Sequence, residues 1–217
     1  MKREELGNGV VLYAGAFPLG TDAVALAEFA AAPKAAAVCD LCAGSGAVGL
    51  LMLARDPSLS VTALELREEG CALMDRSAAE SGLEGRFRVL RGDLREIRAL
   101  LPAGSFTQVV CNPPYYPVGS GYVSEDKAQA IARTELCCTL DDACAAAAWL
   151  LKTGGCLWMV HRPERLADLF CSLRDHGLEP KVLKPVCANP GAAPSLILVK
   201  AVRGGKPGLV WQVTSNK

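Results

Sequence analysis

The sequence predicts an α/β fold: a mostly parallel sheet covered by helices on both faces. Three observations carry that expectation. Short β-like apolar runs alternate with longer helical ones from residue 21 to about 177, which implies right-handed βαβ crossovers. A glycine loop, Gly44-Ser45-Gly46, follows the first of those runs, at the strand end where such sheets bind ligands. The last two β-like runs have no helix between them and are expected to pair antiparallel. A length of 217 residues allows one compact domain over the whole chain, 1–217, with its core over 36–202.

Each element has a local reason. Thr21 or Asp22 suits the cap of a helix over 23–31, which Pro33 ends. The first strand, 36–41, stops at Ala43-Gly44-Ser45-Gly46, and a helix over 47–54 ends at Asp56-Pro57. The second strand is 61–66; the helix after it, 68–81, has Gly82 at its C-terminal stop. A third strand over 87–90, a short helix over 94–101 and a fourth strand over 107–111 follow. After a long loop that starts at Asn112, helices are expected over 127–137 and 140–151, with Asp141 and Asp142 at the positive end of the second. The fifth strand is 155–160, and Pro163 opens a helix that Gly177 closes. Runs over 181–187 and 195–202 bring the sheet to seven strands.

Composition narrows the class. Apolar residues make up 51% and charged residues 21%, a balance that excludes disorder. The ten cysteines admit a disulfide framework, a metal site or small apolar filler in a reducing compartment. Most lie inside apolar runs, the Cys39–Cys42 pair has no second pair to match it, and the two histidines complete no zinc pattern. Filler without metal is therefore expected. Residues 1–9 are charged and no apolar run approaches the ~20 residues of a membrane span, so the expected location is cytoplasmic.

The chemistry belongs in the loops after the first four strands. Gly44, Gly46 and Gly49 satisfy G-x-G-x-x-G, and Glu65 lies at the end of the second strand, where a ribose-binding acid belongs. That pattern alone also fits NAD. Asp40 shifts the balance, because a carboxylate beside the loop repels pyrophosphate and suits a cationic ligand. S-adenosylmethionine carries an ammonium and a sulfonium and no phosphate. Asp93, after the third strand, offers an acceptor for an adenine amine; a cap on the following helix is its alternative role. The fourth loop is Asn112-Pro113-Pro114-Tyr115. Two prolines fix φ and remove two amide hydrogens. The Pro113 carbonyl and the Asn112 side-chain carbonyl can then accept from a planar NH₂ group, with Tyr115 as a stacking face.

Asp40-x-x-x-Gly44-x-Gly46, Glu65, Asp93 and Asn112-Pro113-Pro114-Tyr115 resemble motifs I to IV of class I methyltransferases, which are Rossmann-like. With Gly20-Thr21-Asp22-Ala23 and His161-Arg162-Pro163-Glu164-Arg165-Leu166, most of the chain is similar to the tRNA-modifying branch that makes N6-methyladenine beside the anticodon of valine tRNA. The resemblance implies S-adenosylmethionine as cofactor, held by Thr21, Asp22, Asp40, Gly44, Gly46, Glu65, Leu66, Asp93, Leu94 and Asn112, with the segment 1–35 covering it. It implies methyl transfer at Asn112, Pro113, Pro114 and Tyr115, without metal or membrane. Where the family commonly has Ala-Arg-His-Glu, this chain has Ala132-Arg133-Thr134-Glu135. The alternatives are a glutamine-side-chain methyltransferase acting on a release factor, an rRNA or DNA adenine methyltransferase, and a non-enzymatic binding module.

Charge adds one expectation about the partner. Lys and Arg total 23, as do Asp and Glu, which argues against coating nucleic acid by bulk positive charge. The halves differ: residues 1–150 hold 13 basic against 19 acidic residues, and residues 151–217 hold 10 against 4. A C-terminal basic patch of Arg162, Arg165, Lys181, Lys184, Lys200, Arg203 and Lys206 is the expected docking surface for tRNA. His161 and Arg162, after the fifth strand, have either a phosphate-contacting or a packing role.

Overall fold

In the computed structural model, which describes residues 2–15, 18–115, 138–189 and 191–212, the chain opens with a hairpin absent from the sequence expectation. β1 (Lys2–Gly7) and β2 (Val10–Ala14) pair antiparallel. The turn Gly7-Asn8-Gly9 has positive φ at all three residues, the backbone that Asn-Gly hairpin turns require. β1 carries four charged side chains, Lys2, Arg3, Glu4 and Glu5, which hid the strand, whereas every residue of β2 is buried.

The alternating units then follow as expected. They are α1 (Thr21–Phe29), β3 (Ala37–Leu41), α2 (Ala47–Arg55), β4 (Ser60–Glu65), α3 (Glu68–Glu80), β5 (Phe87–Arg91), a 3-10 turn (Leu94–Glu96) leading into α4 (Ile97–Leu100), and β6 (Phe106–Cys111). After the acceptor loop come α5 (Leu140–Leu150), β7 (Leu151–His161), a 3-10 turn (Pro163–Arg165), α6 (Leu166–Asp175), β8 (Leu178–Cys187), β9 (Pro194–Arg203) and β10 (Val210–Trp211). The helix expected over 127–137, and with it Thr134, lies outside the described residues. The cap of α1 differs from the expectation, and Asp141 and Asp142 stand in the first turn of α5 as expected. Gly20 is the N-cap of α1 and no side chain caps it, while α5 has a full capping box between Thr139 and Asp142, which satisfies two helix-end donors reciprocally.

Among the described residues the main sheet has eight strands in the order β10-β8-β9-β7-β6-β3-β4-β5, one more than the seven expected. The eighth, β10, is two exposed residues beside β8, too short to leave an apolar pattern. β9 runs antiparallel to its neighbours β7 and β8, and the pairing of β8 with β9 is the one the missing helix between them implied. Val38, Val61 and Val110 belong to one core, shared with α1, α2 and α3; Cys39, Leu41 and Val109 belong to the other, shared with α4, α5 and α6. β3 sits between β4 and β6, so the strand order reverses at its C-terminal end. A ligand crevice opens where the connections diverge in this way. Among the described residues, no helix is long and apolar enough to cross a membrane.

Candidate active site

One cleft lies over the C-terminal ends of β3, β4, β5 and β6. Its wall includes Asp22, Asp40, Gly44, Glu65, Leu66, Asp93, Leu94, Asn112, Pro113, Pro114 and Tyr115, so four loops and the start of α1 meet as the sequence suggested. Of the segment 1–35, Pro18, Gly20, Asp22 and Ala23 reach the cleft. The hairpin packs elsewhere, on α3, where Ser81 and Ser77 Oγ accept from the Val11 and Tyr13 amides at 2.8 and 2.9 Å. Thr21, exposed in the first turn of α1, does not line the cleft.

The glycine loop divides its labour. Gly44 lies on the cleft wall, whereas a Cβ on Gly46 would meet the Met74 Cγ at 2.8 Å and the Phe87 ring at 3.0 Å. Gly46, at φ +80, therefore faces the core and lets α2 start close under α3. A Cβ on Gly49 would lie 2.8 Å from Val61 Cγ1, so this third glycine serves helix–strand packing. Its amide donates to Asp40 Oδ2 at 2.9 Å.

Asp40 is 1% exposed. Burial pushes its carboxyl up to about 7; the Gly49 hydrogen bond opposes that shift and the nearby Glu65 charge adds to it. Glu65 is clasped by the loops it joins: Oε2 accepts from the Gly44 amide at 2.8 Å and Oε1 from the Arg67 amide at 3.0 Å. Asp93 takes the alternative role foreseen for it, as N-cap of the 3-10 turn, with Oδ1 accepting from the Arg95 amide at 2.9 Å. The Arg95 guanidinium donates to both of its oxygens and holds its carboxyl below the ordinary range. All three acids still line the cleft. Such an acceptor-rich wall suits a ligand with cationic and hydroxyl groups, and it disfavours pyrophosphate.

Two thiols expected to be apolar filler also line this cleft. Cys42, at φ +57, and Cys138 both line the cleft, with their Sγ atoms 3.8 Å apart. Hydrogen bonding within the cluster and burial raise both thiols above their ordinary value, so they stay protonated and unreactive.

The acceptor loop is tied to α1 across 90 residues. Asn112 Nδ2 donates to Asp22 Oδ2 at 3.2 Å, and the Tyr115 hydroxyl lies 2.8 Å from the same oxygen and 2.5 Å from Asn112 Oδ1. Asp22, expected in the cofactor shell, is thus bonded to Asn112 and Tyr115. Behind Tyr115 the His161 ring packs edge-on, centroids 5.4 Å apart. His161 is fully buried and its Nδ1 accepts from the Arg162 amide at 2.9 Å. Its role is packing rather than surface contact with phosphate, and burial pushes its imidazole down to about 4.

The expected basic patch is spread over the length of the sheet. β7 ends at the cleft, so Arg162 and Arg165 stand on that side, where Arg165 pairs with Asp168 at 2.7 Å. Arg203 lies opposite Leu178 at the other end of the β8–β9 pair. There Lys181 Nζ donates to the Lys206 carbonyl at 3.0 Å. Lys200 lies over the Trp158 ring, mid-sheet, at 4.9 Å.

Comparison with known proteins agrees with this geometry. Residues 18–170 match the family model of the methyltransferase small domain. A tRNA1(Val) (adenine(37)-N6)-methyltransferase of Aeromonas hydrophila is 26% identical over 190 residues, 87% of this chain and 78% of that protein. Matches to other relatives of that name span about half of their length, as with the 48% covered in a Shewanella protein. A ribosomal protein uL3 glutamine methyltransferase of Bordetella pertussis is 36% identical over 76 residues, 35% of this chain and 24% of that protein. Among solved structures, TrmN from Thermus thermophilus superposes with a TM-score of 0.61 at 25% identity, covering 83% of this chain and 48% of that one.

Proposed function

The chain belongs to the methyltransferase small domain family, and from that premise we propose that it methylates the N6 amine of an adenine in tRNA, beside the anticodon. The cofactor of this family is S-adenosylmethionine, which supplies a methyl group activated on a sulfonium. The acids on the cleft wall fit it: Asp40 offers a buried carboxyl to a cation, Glu65 stands at the ribose-binding position, and Asp93 offers an acceptor toward adenine.

The observation that carries the reading is Asn112-Pro113-Pro114-Tyr115 on the wall of that same cleft. An adenine amine is a poor nucleophile because its lone pair is delocalised into the ring. Acceptors at Asn112 Oδ1 and the Pro113 carbonyl draw on its two N–H bonds and favour positive charge developing at nitrogen. Tyr115 offers the flat face that holds the ring in line. The cofactor would supply the methyl and depart as a neutral thioether, while Asn112 and Pro113 hold the amine until its spare proton passes to solvent water. The base must leave its stack to enter, which costs least in a loop.

The Bordetella relative favours a second reading, since a glutamine amide is also a planar NH₂ group. Purified protein with methyl-labelled S-adenosylmethionine, offered tRNA, rRNA and a glutamine-containing release-factor or uL3 fragment, separates the two. Label in tRNA as N6-methyladenosine is the expected result; label confined to the protein fragments refutes it.

A further inference from the structure

We propose that Asp22 is the positioning residue of the acceptor loop, holding Tyr115 and Asn112 so that the Asn112 carbonyl oxygen is free for the substrate amine. The inference rests on the transfer role of that loop and adds a residue to it.

The Tyr115 hydroxyl has one proton and two acceptors within reach, Asn112 Oδ1 and Asp22 Oδ2. A substrate NH₂ arriving at Asn112 Oδ1 competes for that oxygen. With Asp22 in place the tyrosine proton turns to the carboxylate, and no polar group is left unpaired. Without it, each substrate would have to strip the half-buried hydroxyl of its partner, a loss that proteins pay dearly. The same Oδ2 also accepts from Asn112 Nδ2. A flipped amide would set two oxygens against each other, so the carboxylate decides which end of Asn112 is presented. The His161 ring behind Tyr115 blocks the ring from swinging away, which leaves rotation of the hydroxyl as the available adjustment.

A second observation points to the same carboxylate. A Cβ on Gly20 would lie 2.2 Å from Asp22 Oδ1. The glycine at the N-cap of α1 is what permits Asp22 to fold back, where Oδ1 also accepts from the Ala23 amide at 2.8 Å. Gly20 has φ −89, which any residue adopts, so its need for a small side chain comes from Asp22 and not from the backbone.

The test is single-turnover methyl transfer at saturating cofactor in Asp22→Ala, Asp22→Asn and Gly20→Ala, with cofactor affinity by calorimetry and melting by circular dichroism alongside. Misplacing a reacting group by about 1 Å costs on the order of 10²-fold, so Asp22→Ala and Gly20→Ala should lose roughly ten- to a hundredfold in rate. Cofactor affinity should stay within about threefold. Asp22→Asn, whose amide oxygen can still accept both bonds, should recover part of the rate. In a Tyr115→Phe background the cost of Asp22→Ala should shrink, because the competing hydroxyl is gone. Fully additive losses would overturn the proposal, as would a tenfold loss of cofactor affinity at unchanged rate. If the wild-type protein methylates no RNA, the tRNA reading fails by itself. The Asn112 side-chain amide protons, followed by NMR in the free protein, then decide: they shift in Asp22→Ala if Asp22 orients them, and unchanged signals overturn the assignment.

Discussion

Asp40 and His161 are buried groups whose protonation the fold moves in opposite directions. The Asp40 carboxyl, raised from 3.8 to about 7, keeps a proton that the unfolded chain has already lost. Its contribution to stability is present below pH 3.8 and is lost as pH rises through about 7. His161, lowered from 6.5 to about 4, works the other way: the unfolded chain binds the proton first, so stability falls as pH drops through that window. The two slopes offset each other in the parent protein and separate in variants. Urea midpoints from pH 4 to 7 should decline more steeply with acid in Asp40→Asn and less steeply in His161→Gln; identical profiles would contradict both assignments. The same carboxyl lines the cleft proposed to hold the cofactor. Cofactor affinity should rise with pH toward about 7, by up to about tenfold per unit, and calorimetry on Asp40→Asn should show that slope flattened. Asp40, Glu65, Asp93 and Asn112 were legible because acids and an amide at successive strand ends make a pattern. Their donors were not: the Gly49 amide, the Gly44 amide and the Arg95 guanidinium converge only once the loops fold. The bond between Asp22 and Asn112 spans 90 residues, and no spacing rule reaches that far.

Among the elements, the start of α3 is where a residue outside the cleft controls it. A Cβ on Gly70 would meet the Gly44 carbonyl at 2.5 Å and Glu65 Cγ at 2.9 Å, and a backbone carbonyl cannot rotate out of the way. Gly70→Ala should therefore displace the glycine loop and weaken cofactor binding by about tenfold or more, since overpacking of this kind typically costs 1–3 kcal/mol. Unchanged affinity in a calorimetric titration would show that the loop is softer than its packing implies. Alternation of strand and helix was readable because each βα unit buries its own apolar face. β1 was not, because its charged side chains break the strand pattern, although Gly7-Asn8-Gly9 was a turn signal available in the sequence. β10 escaped for a different reason. It exists only because its two residues hydrogen-bond to β8, a tertiary pairing with no local cause.

At the scale of the whole molecule, the basic residues of the C-terminal part lie at both ends of the sheet. Arg162 and Arg165 stand at the cleft end of the sheet, and Lys181, Arg203 and Lys206 at the opposite end. An RNA that delivers a base to the cleft should feel the first pair most. Arg162→Glu with Arg165→Glu should raise the tRNA KM and lower the salt slope by about one unit per lost phosphate contact. Lys181→Glu with Lys206→Glu should leave KM within about twofold, since charges beyond a Debye length are screened. Equal effects from the two pairs would mean that the RNA spans the sheet. The proposed transfer requires that one cleft bring a cationic nucleoside cofactor and a planar amine together. Nucleoside mass spectrometry of tRNA incubated with the protein and S-adenosylmethionine tests it most directly. N6-methyladenosine is expected with the wild-type protein and none with Asn112→Ala; N6-methyladenosine formed at an undiminished rate by Asn112→Ala would contradict a transfer role for that loop.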